Sequence, residues 1–286
     1  VLRIAGYVTG KQDLPCSMCV DRNFDDLAQR FMRNVYATPK GRLRLAIMED
    51  ELQRLLPRLP TARPLRILDA GCGQGPLSRQ LARLGHQLVL CDHSAVMLQE
   101  AQATFAAEAP GVNVQFIHAS IQELAAHLTD PFDLVMCHAV LEWQALPEQT
   151  LRSVVAWLKP GGVLSLLFYN RHGLIWRNLT RGNFRKVASD NFSGHPSGLT
   201  PTHPLLPQQV YDWLDELELA VVSRCGVRVL YDYLGKTLQA SRSYEDILAM
   251  ERQFCREEPY LSLGRYIHVV AEARDTESYA GSASES

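Results

Sequence analysis

The stretch that most constrains this chain is an apolar run that ends in an acid and then breaks into alternating glycines: Leu65 to Gly75 reads Leu-Arg-Ile-Leu-Asp-Ala-Gly-Cys-Gly-Gln-Gly. Such a run predicts a buried strand stopping at Asp69 and a turn through Gly71, Gly73 and Gly75. Without a Cβ these positions can take positive φ angles and let a ligand approach the main chain, while free N–H groups and the start of the next helix face the same spot. The stretch therefore reads as a nucleotide-binding turn, with the nucleotide still open.

The pattern then repeats. Leu77 to Leu84 predicts a helix ended by Gly85, and His86 to Asp92 a second buried strand finishing in an acid. Ser94 is placed to cap a helix running to about Glu108. Val112 to His118, Phe132 to Cys137 and Val163 to Tyr169 predict strands three, four and five, with a helix over Pro147 to Leu158 broken by Lys159-Pro-Gly-Gly. Strands alternating with helices through short loops imply right-handed crossovers and a parallel sheet covered on both faces, a doubly wound α/β fold. Ligands on such sheets bind beyond the carboxyl ends of the strands, where Gly71, Asp92, Ser120 and His138 would converge. Further on, Val210, Trp213, Leu214 and Leu217 mark a helix, and Ser243 starts another. Leu219–Val222 and Tyr266–Ala271 predict two last strands that could finish the sheet as a hairpin-like pair.

Four divisions follow. Residues 1–20 read as an N-terminal extension without periodicity. Residues 21–60 read as a helical arm or lid, with Phe24, Leu27, Ala28 and Phe31 at helical spacing. Residues 61–275 carry the main domain, and 276–286 a small, polar, acidic tail. Within the main domain, residues 170–206 form a long connection whose first half holds Arg171, Arg177, Arg181, Arg185 and Lys186 with no acid before Asp190. A net charge of -2 over 286 residues gives no global field, so a nucleic-acid partner would need this local patch. Seven cysteines, several in apolar strand-like runs, suit free thiols in a reducing cytoplasm. Cys16 and Cys19 form a CxxC with no second pair or histidines beside it, so no metal is expected. No apolar run is long enough to span a membrane.

The glycine spacing decides the nucleotide. A dinucleotide site shows G-x-G-x-x-G, whereas this chain shows Asp-x-Gly-x-Gly-x-Gly, with Asp92 21 residues beyond Gly71. Asp92 suits a ribose in either case. Asp69, however, would repel a pyrophosphate and can help hold an ammonium group, which points to S-adenosylmethionine. Joined to Leu158-Lys-Pro-Gly-Gly-Val-Leu, the turn resembles the class I methyltransferases. That resemblance implies a Rossmann-like, seven-stranded, mostly parallel sheet whose last strand is antiparallel and inserted between strands five and six.

Several flanking motifs are more specific: Asp21-Arg-Asn-Phe-Asp-Asp-Leu-Ala, Arg33-Asn-Val-Tyr, Lys40-Gly-Arg-Leu-Arg, His138-Ala-Val-Leu-Glu-Trp, Phe168-Tyr-Asn-x-His-Gly and Glu258-Pro-Tyr-x-x-Leu-Gly-Arg-Tyr-Ile-His. Together they resemble the bacterial tRNA 5-carboxymethoxyuridine methyltransferases from about Asp21 to Ala273. The resemblance implies cofactor contacts from Arg44, Gly71, Cys72, Asp92, Ile121, Gln122 and His138, with Cys72 acting through its backbone. It also implies methylation of the carboxylate on the wobble uridine of a tRNA anticodon stem-loop. Strand three lacks the acid often found near adenine, so Gln122 or a main-chain N–H would substitute. No general base is required, because a carboxylate is already ionised near neutrality. Tyr169, Asn170, Arg171 and His172, at the end of strand five, are candidates for positioning the substrate, as are Arg33 and Tyr36 on the arm. A small-molecule methyltransferase of quinone or metabolite type is the competing reading, since it shares the glycine motifs but has no need of the basic connection. A cofactor-binding module without catalysis is a third.

Overall fold

The computed structural model describes residues 21–25, 38–192, 201 and 203–274. The expected extension, the acidic tail, most of the arm before residue 38 and part of the basic connection lie outside the described residues, and so do Arg33 and Tyr36.

Helix α1 (Pro39–Leu55) starts where Thr38 accepts from the Gly41 amide at 3.3 Å and Pro39 presets the first helical φ. Its Leu43, Ile47, Met48, Leu52 and Leu55 face inward. Then follow β1 (Arg66–Ala70), α2 (Pro76–Arg83), β2 (Gln87–Asp92), α3 (Ala95–Glu108), β3 (Val114–His118), β4 (Phe132–His138), α4 (Pro147–Val155) and β5 (Leu158–Tyr169). Ser94 caps α3 by accepting from the Met97 amide at 3.2 Å. The second half adds α5 (Arg171–Leu179), α6 (Phe184–Ala188), α7 (Pro207–Glu216), β6 (Leu219–Val227), α8 (Lys236–Ser241), α9 (Tyr244–Phe254), α10 (Tyr260–Leu263) and β7 (Tyr266–Ala273).

The seven strands lie in the order β3-β2-β1-β4-β5-β7-β6, with β7 antiparallel to both neighbours. This is the doubly wound sheet expected, with its last strand inserted between the fifth and sixth. Side chains alternate across it. Leu68, Val135, Leu164 and Val269 pack with Leu151, Val210 and Leu214 on one face, while Ile67, Leu134, Leu167 and Val270 pack with Leu52, Leu81 and Leu98 on the other.

Two local expectations change. The helix expected to run to Leu158 ends at Val155, and Lys159-Pro-Gly-Gly, expected to break it, lies within strand five instead: Leu158 already pairs with Phe132, and the register shifts between Phe132 and Leu134. A bulge there uses glycine directly, because a Cβ on Gly162 would lie 2.8 Å from the Lys159 carbonyl oxygen. The first half of the basic connection is not irregular. It folds into α5 and α6, capped by Asn170, whose side chain accepts from the His172 amide at 3.0 Å.

Candidate functional site

At the carboxyl end of β1 the chain turns through Gly71, Gly73 and Gly75 with φ of +76°, +54° and +57°. The amides of Gly71 and Cys72 both donate to the Cys91 carbonyl at 2.9 Å, tying the turn to β2. A Cβ on Gly71 would meet Val140 Cγ2 at 2.5 Å, so the turn is closed to any larger residue. Asp92 anchors the other side. One carboxylate oxygen accepts from the Gly73 amide at 2.7 Å and the other from the Ser94 amide at 2.8 Å. Each oxygen keeps a lone pair for a ligand hydroxyl.

One cavity lies over this turn. Arg44, Gly71, Cys72, Asp92, Ile121, Gln122 and His138 all line it, together with Asp69 and Trp143. Cys72 is buried, its thiol pushed up by burial and directed at its neighbour's carbonyl, so it offers the cavity a backbone rather than a nucleophile. The Gln122 side-chain amide donates to Thr150 at 3.1 Å, leaving the main chain of the turn beginning at Ile121 as the polar surface there. Asp69 accepts from the Ser78 hydroxyl at 2.5 Å, and burial, opposed by that bond and reinforced by Asp92, raises its carboxyl to about 7.

Residues 21–25 close one side of the cavity. Phe24 packs edge-on against Trp143 at 4.8 Å, Asp21 accepts from the Ala145 amide at 2.8 Å, and Asp25 accepts from the Ser94 hydroxyl at 2.6 Å. Of the stripe expected at helical spacing, Phe24 alone lies among the described residues, and it is in no helix. The acids beside it gave no signal of what they would fasten.

Beneath the cavity, between the sheet and α1, runs a buried polar chain that the sequence did not reveal. His138 Nε2 lies 2.8 Å from Ser165 Oγ, which lies 2.9 Å from His268 Nε2; His268 Nδ1 then faces Glu51 at 3.4 Å. Glu51 is held by Arg256 through two contacts of 2.6 Å. His138, Ser165 and His268 sit on adjacent strands β4, β5 and β7. Burial, with His268 and Arg44 adding to it, depresses His138 to about 3, so its ring is neutral. A hydroxyl has one proton to give. When His268 donates to Glu51 and accepts from Ser165, His138 must donate from Nε2, and its Nδ1 lone pair is left for the cavity.

The ends of β5 and β7 have a different character. Tyr169 and Tyr266 pair across the strands with ring centroids 5.3 Å apart. Arg265 lies 4.6 Å over the Tyr169 ring, and Tyr266 has Arg44 at 5.7 Å and Arg228 at 5.4 Å. Of the residues expected to position a substrate, Tyr169 belongs to this group. Asn170 is fully buried, its amide donating to the carbonyls of Ser262 and Gly264 at 2.9 and 2.8 Å. Arg171 pairs with Asp190, and His172 is exposed on α5. Arg228 and Arg265, far along the chain, escaped sequence reasoning because nothing local marks them.

This sheet order, with a glycine turn after β1 and an anchored acid after β2, defines a class I methyltransferase. Residues 67–162 match the family described as methyltransferase domain. The chain is 48% identical to the tRNA 5-carboxymethoxyuridine methyltransferase of Escherichia coli K12 over 88% of its own length and 96% of that protein's. It therefore belongs to the tRNA 5-carboxymethoxyuridine methyltransferase family. The ubiquinone biosynthesis O-methyltransferase of Caulobacter vibrioides is 36% identical over 45% of this chain and 52% of its own. Among solved structures, magnesium protoporphyrin IX methyltransferase from Synechocystis PCC 6803 with bound S-adenosylhomocysteine superposes with a TM-score of 0.59. That likeness covers 87% of this chain and 96% of the other at 16% identity, and it concerns the fold.

Proposed function

We propose that this chain transfers a methyl group from S-adenosylmethionine to the carboxylate of 5-carboxymethoxyuridine at the wobble position of tRNA, forming the methyl ester. The observation that carries this reading is where the similarities stop. The relative named for quinone chemistry is matched over 52% of its length and 45% of this chain, whereas the tRNA enzyme is matched over 96% of its own and 88% of this chain. A small-molecule methyltransferase would have no need of the basic helices.

The cavity's chemistry suits the cofactor. Asp92 would accept from the ribose hydroxyls, Asp69 would face the ammonium group, and Arg44 the carboxylate of the methionine moiety. Backbone amides of the glycine turn and of the turn at Ile121 line the rest, with His138 Nδ1 as a further acceptor. The cofactor supplies an electrophilic methyl on a sulfonium. The acceptor's carboxylate oxygen forms the new O–C bond as the S–C bond breaks, and the sulfur leaves neutral. The nucleophile is ionised already, so the protein's work is to align the reactants about 3 to 3.5 Å apart and exclude water. On the acceptor side, the exposed Trp176 and Phe184 beside Arg181, Arg185 and Lys186 offer stacking surfaces and phosphate contacts for an anticodon stem-loop.

The test is direct. With labelled S-adenosylmethionine, the protein should label tRNA from cells able to make 5-carboxymethoxyuridine and leave tRNA from cells lacking it unlabelled. Equal labelling of both would overturn the carboxylate assignment.

A further inference from the structure

Four cations gather at the ends of β5 and β7. Arg228 and Arg265 are 7% and 9% exposed, Arg177 of α5 is half-buried, and Lys40 stands at the rim on the first turn of α1, one helical turn before Arg44. Asp232 pairs with Arg228 at 2.9 Å, and the buried Glu251, held by the amides of Val229, Leu230 and Tyr231, also acts on it, which still leaves the cations in surplus. Among the described residues the Arg265 guanidinium pairs with no carboxylate and its buried Nη1 makes no hydrogen bond, and the buried Nε of Arg177 makes none either. What Arg265 does have is the face of Tyr169.

This arrangement is costly as it stands. A buried charge without a partner is strongly disfavoured, and here like charges are added to it. The strain shows in the neighbours. Arg177 is held below the usual arginine range by burial and then by Arg265 and Arg181, and Lys40 is depressed by burial and then by Arg228. A cluster with surplus positive charge, unfilled donors and an aromatic floor is built to receive an anion carried on a flat ring. Its place is equally specific, because the Tyr266 ring has both Arg44, which lines the donor cavity, at 5.7 Å and Arg228 of the cluster at 5.4 Å from its centroid.

We infer that the Arg265 and Arg177 guanidinium groups, over Tyr169, seat the carboxylate of the acceptor uridine and thereby decide which bases are methylated. This rests on the function proposed above and adds to it the residues that select the substrate. A carboxylate has two oxygens. Held by one, it keeps the other free to attack, so the same contact that binds the acceptor does not quench its nucleophile. Neutral uridine derivatives leave the cluster unfilled and are rejected for that reason.

The experiment compares two synthetic anticodon stem-loops, one with 5-carboxymethoxyuridine and one with neutral 5-methoxyuridine at the wobble position. They bind the full-length protein loaded with S-adenosylhomocysteine, and calorimetry reads both affinities. A charged hydrogen bond of this kind should give the unaltered protein a preference of about 10- to 100-fold for the charged loop. Arg265→Gln should bring that ratio close to one with cofactor affinity unchanged, and should melt no lower than the parent, since it removes an uncompensated charge. Arg177→Gln, on the half-buried face of α5, should reduce the ratio without disturbing the fold. The double variant Arg181→Glu/Arg185→Glu should weaken both loops equally and keep the ratio.

The inference is overturned if both Gln variants retain the preference, or if they weaken both loops by the same factor, as a phosphate contact would. If the unaltered protein showed no preference and methylated neither loop, the underlying functional reading would fail instead.

Discussion

The two halves of the molecule's open end solve opposite problems. Around the glycine turn the acids and the backbone are already fastened: Asp92 by two amides, Asp69 by Ser78, and the turn itself by the Cys91 carbonyl. Around Tyr169 and Tyr266, buried guanidinium groups stand with donors unfilled. The donor half is preorganised for a ligand of fixed structure, while the acceptor half keeps a charge surplus that only the right anion relieves. Affinity for a cofactor common to many enzymes can rest on backbone geometry; selection of one modified base needs a penalty for everything else.

The sharpest way to break this comparison is to remove the donor half's anchor. Asp92→Ala deletes the acceptor proposed for two ribose hydroxyls, each hydrogen bond to a charged group being worth about 1.5 to 3 kcal/mol. Cofactor affinity should fall about 100-fold or more by calorimetry, with stem-loop binding unaffected. A parallel loss of stem-loop affinity would show that the halves are not separate.

The comparison also bears on what a sequence can disclose. Asp69, Gly71 and Asp92 lie within two adjoining strand ends, so their spacing announces them. The buried chain beneath the cavity and the cation cluster are assembled from residues such as Glu51, Ser165 and His268, or Lys40, Arg177 and Arg265. These come together only after β7 inserts beside β5. An isolated arginine or serine carries no local period, and the insertion itself was legible only through a family resemblance. Asn170 shows the converse: next to Tyr169 it read as a substrate contact, yet its amide holds the segment at Ser262 and Gly264.

A second prediction sharpens the donor side by pH. In the free protein the Asp69 carboxyl sits at about 7, so it is largely protonated at pH 6 and ionised at pH 8. A cation in the cavity favours the ionised form, and binding at low pH must therefore release a proton. Cofactor affinity should rise about 10-fold between pH 6 and pH 8 and level off above. Asp69→Asn should flatten this dependence. A flat profile in the unaltered protein would place the cofactor's ammonium elsewhere.

The smallest effect tests the seam between the halves. Ser165 sits on β5, between the strand that carries His138 into the donor cavity and the strand that carries Tyr266 toward the acceptor cluster. Its hydroxyl bridges His138 and His268 by hydrogen bonds, and a buried hydrogen bond contributes about 0.5 to 1.5 kcal/mol. Ser165→Ala should thus weaken cofactor binding by about 2- to 10-fold. Lost packing alone would produce a drop of this size, so the deciding measurement is nitrogen NMR of the His138 ring. In the unaltered protein Nε2 should carry the proton and Nδ1 the lone pair; in Ser165→Ala the two tautomers should mix. If the ring keeps a single tautomer without Ser165, the buried chain does not orient it, and the donor half is organised by the glycine turn and its two acids alone.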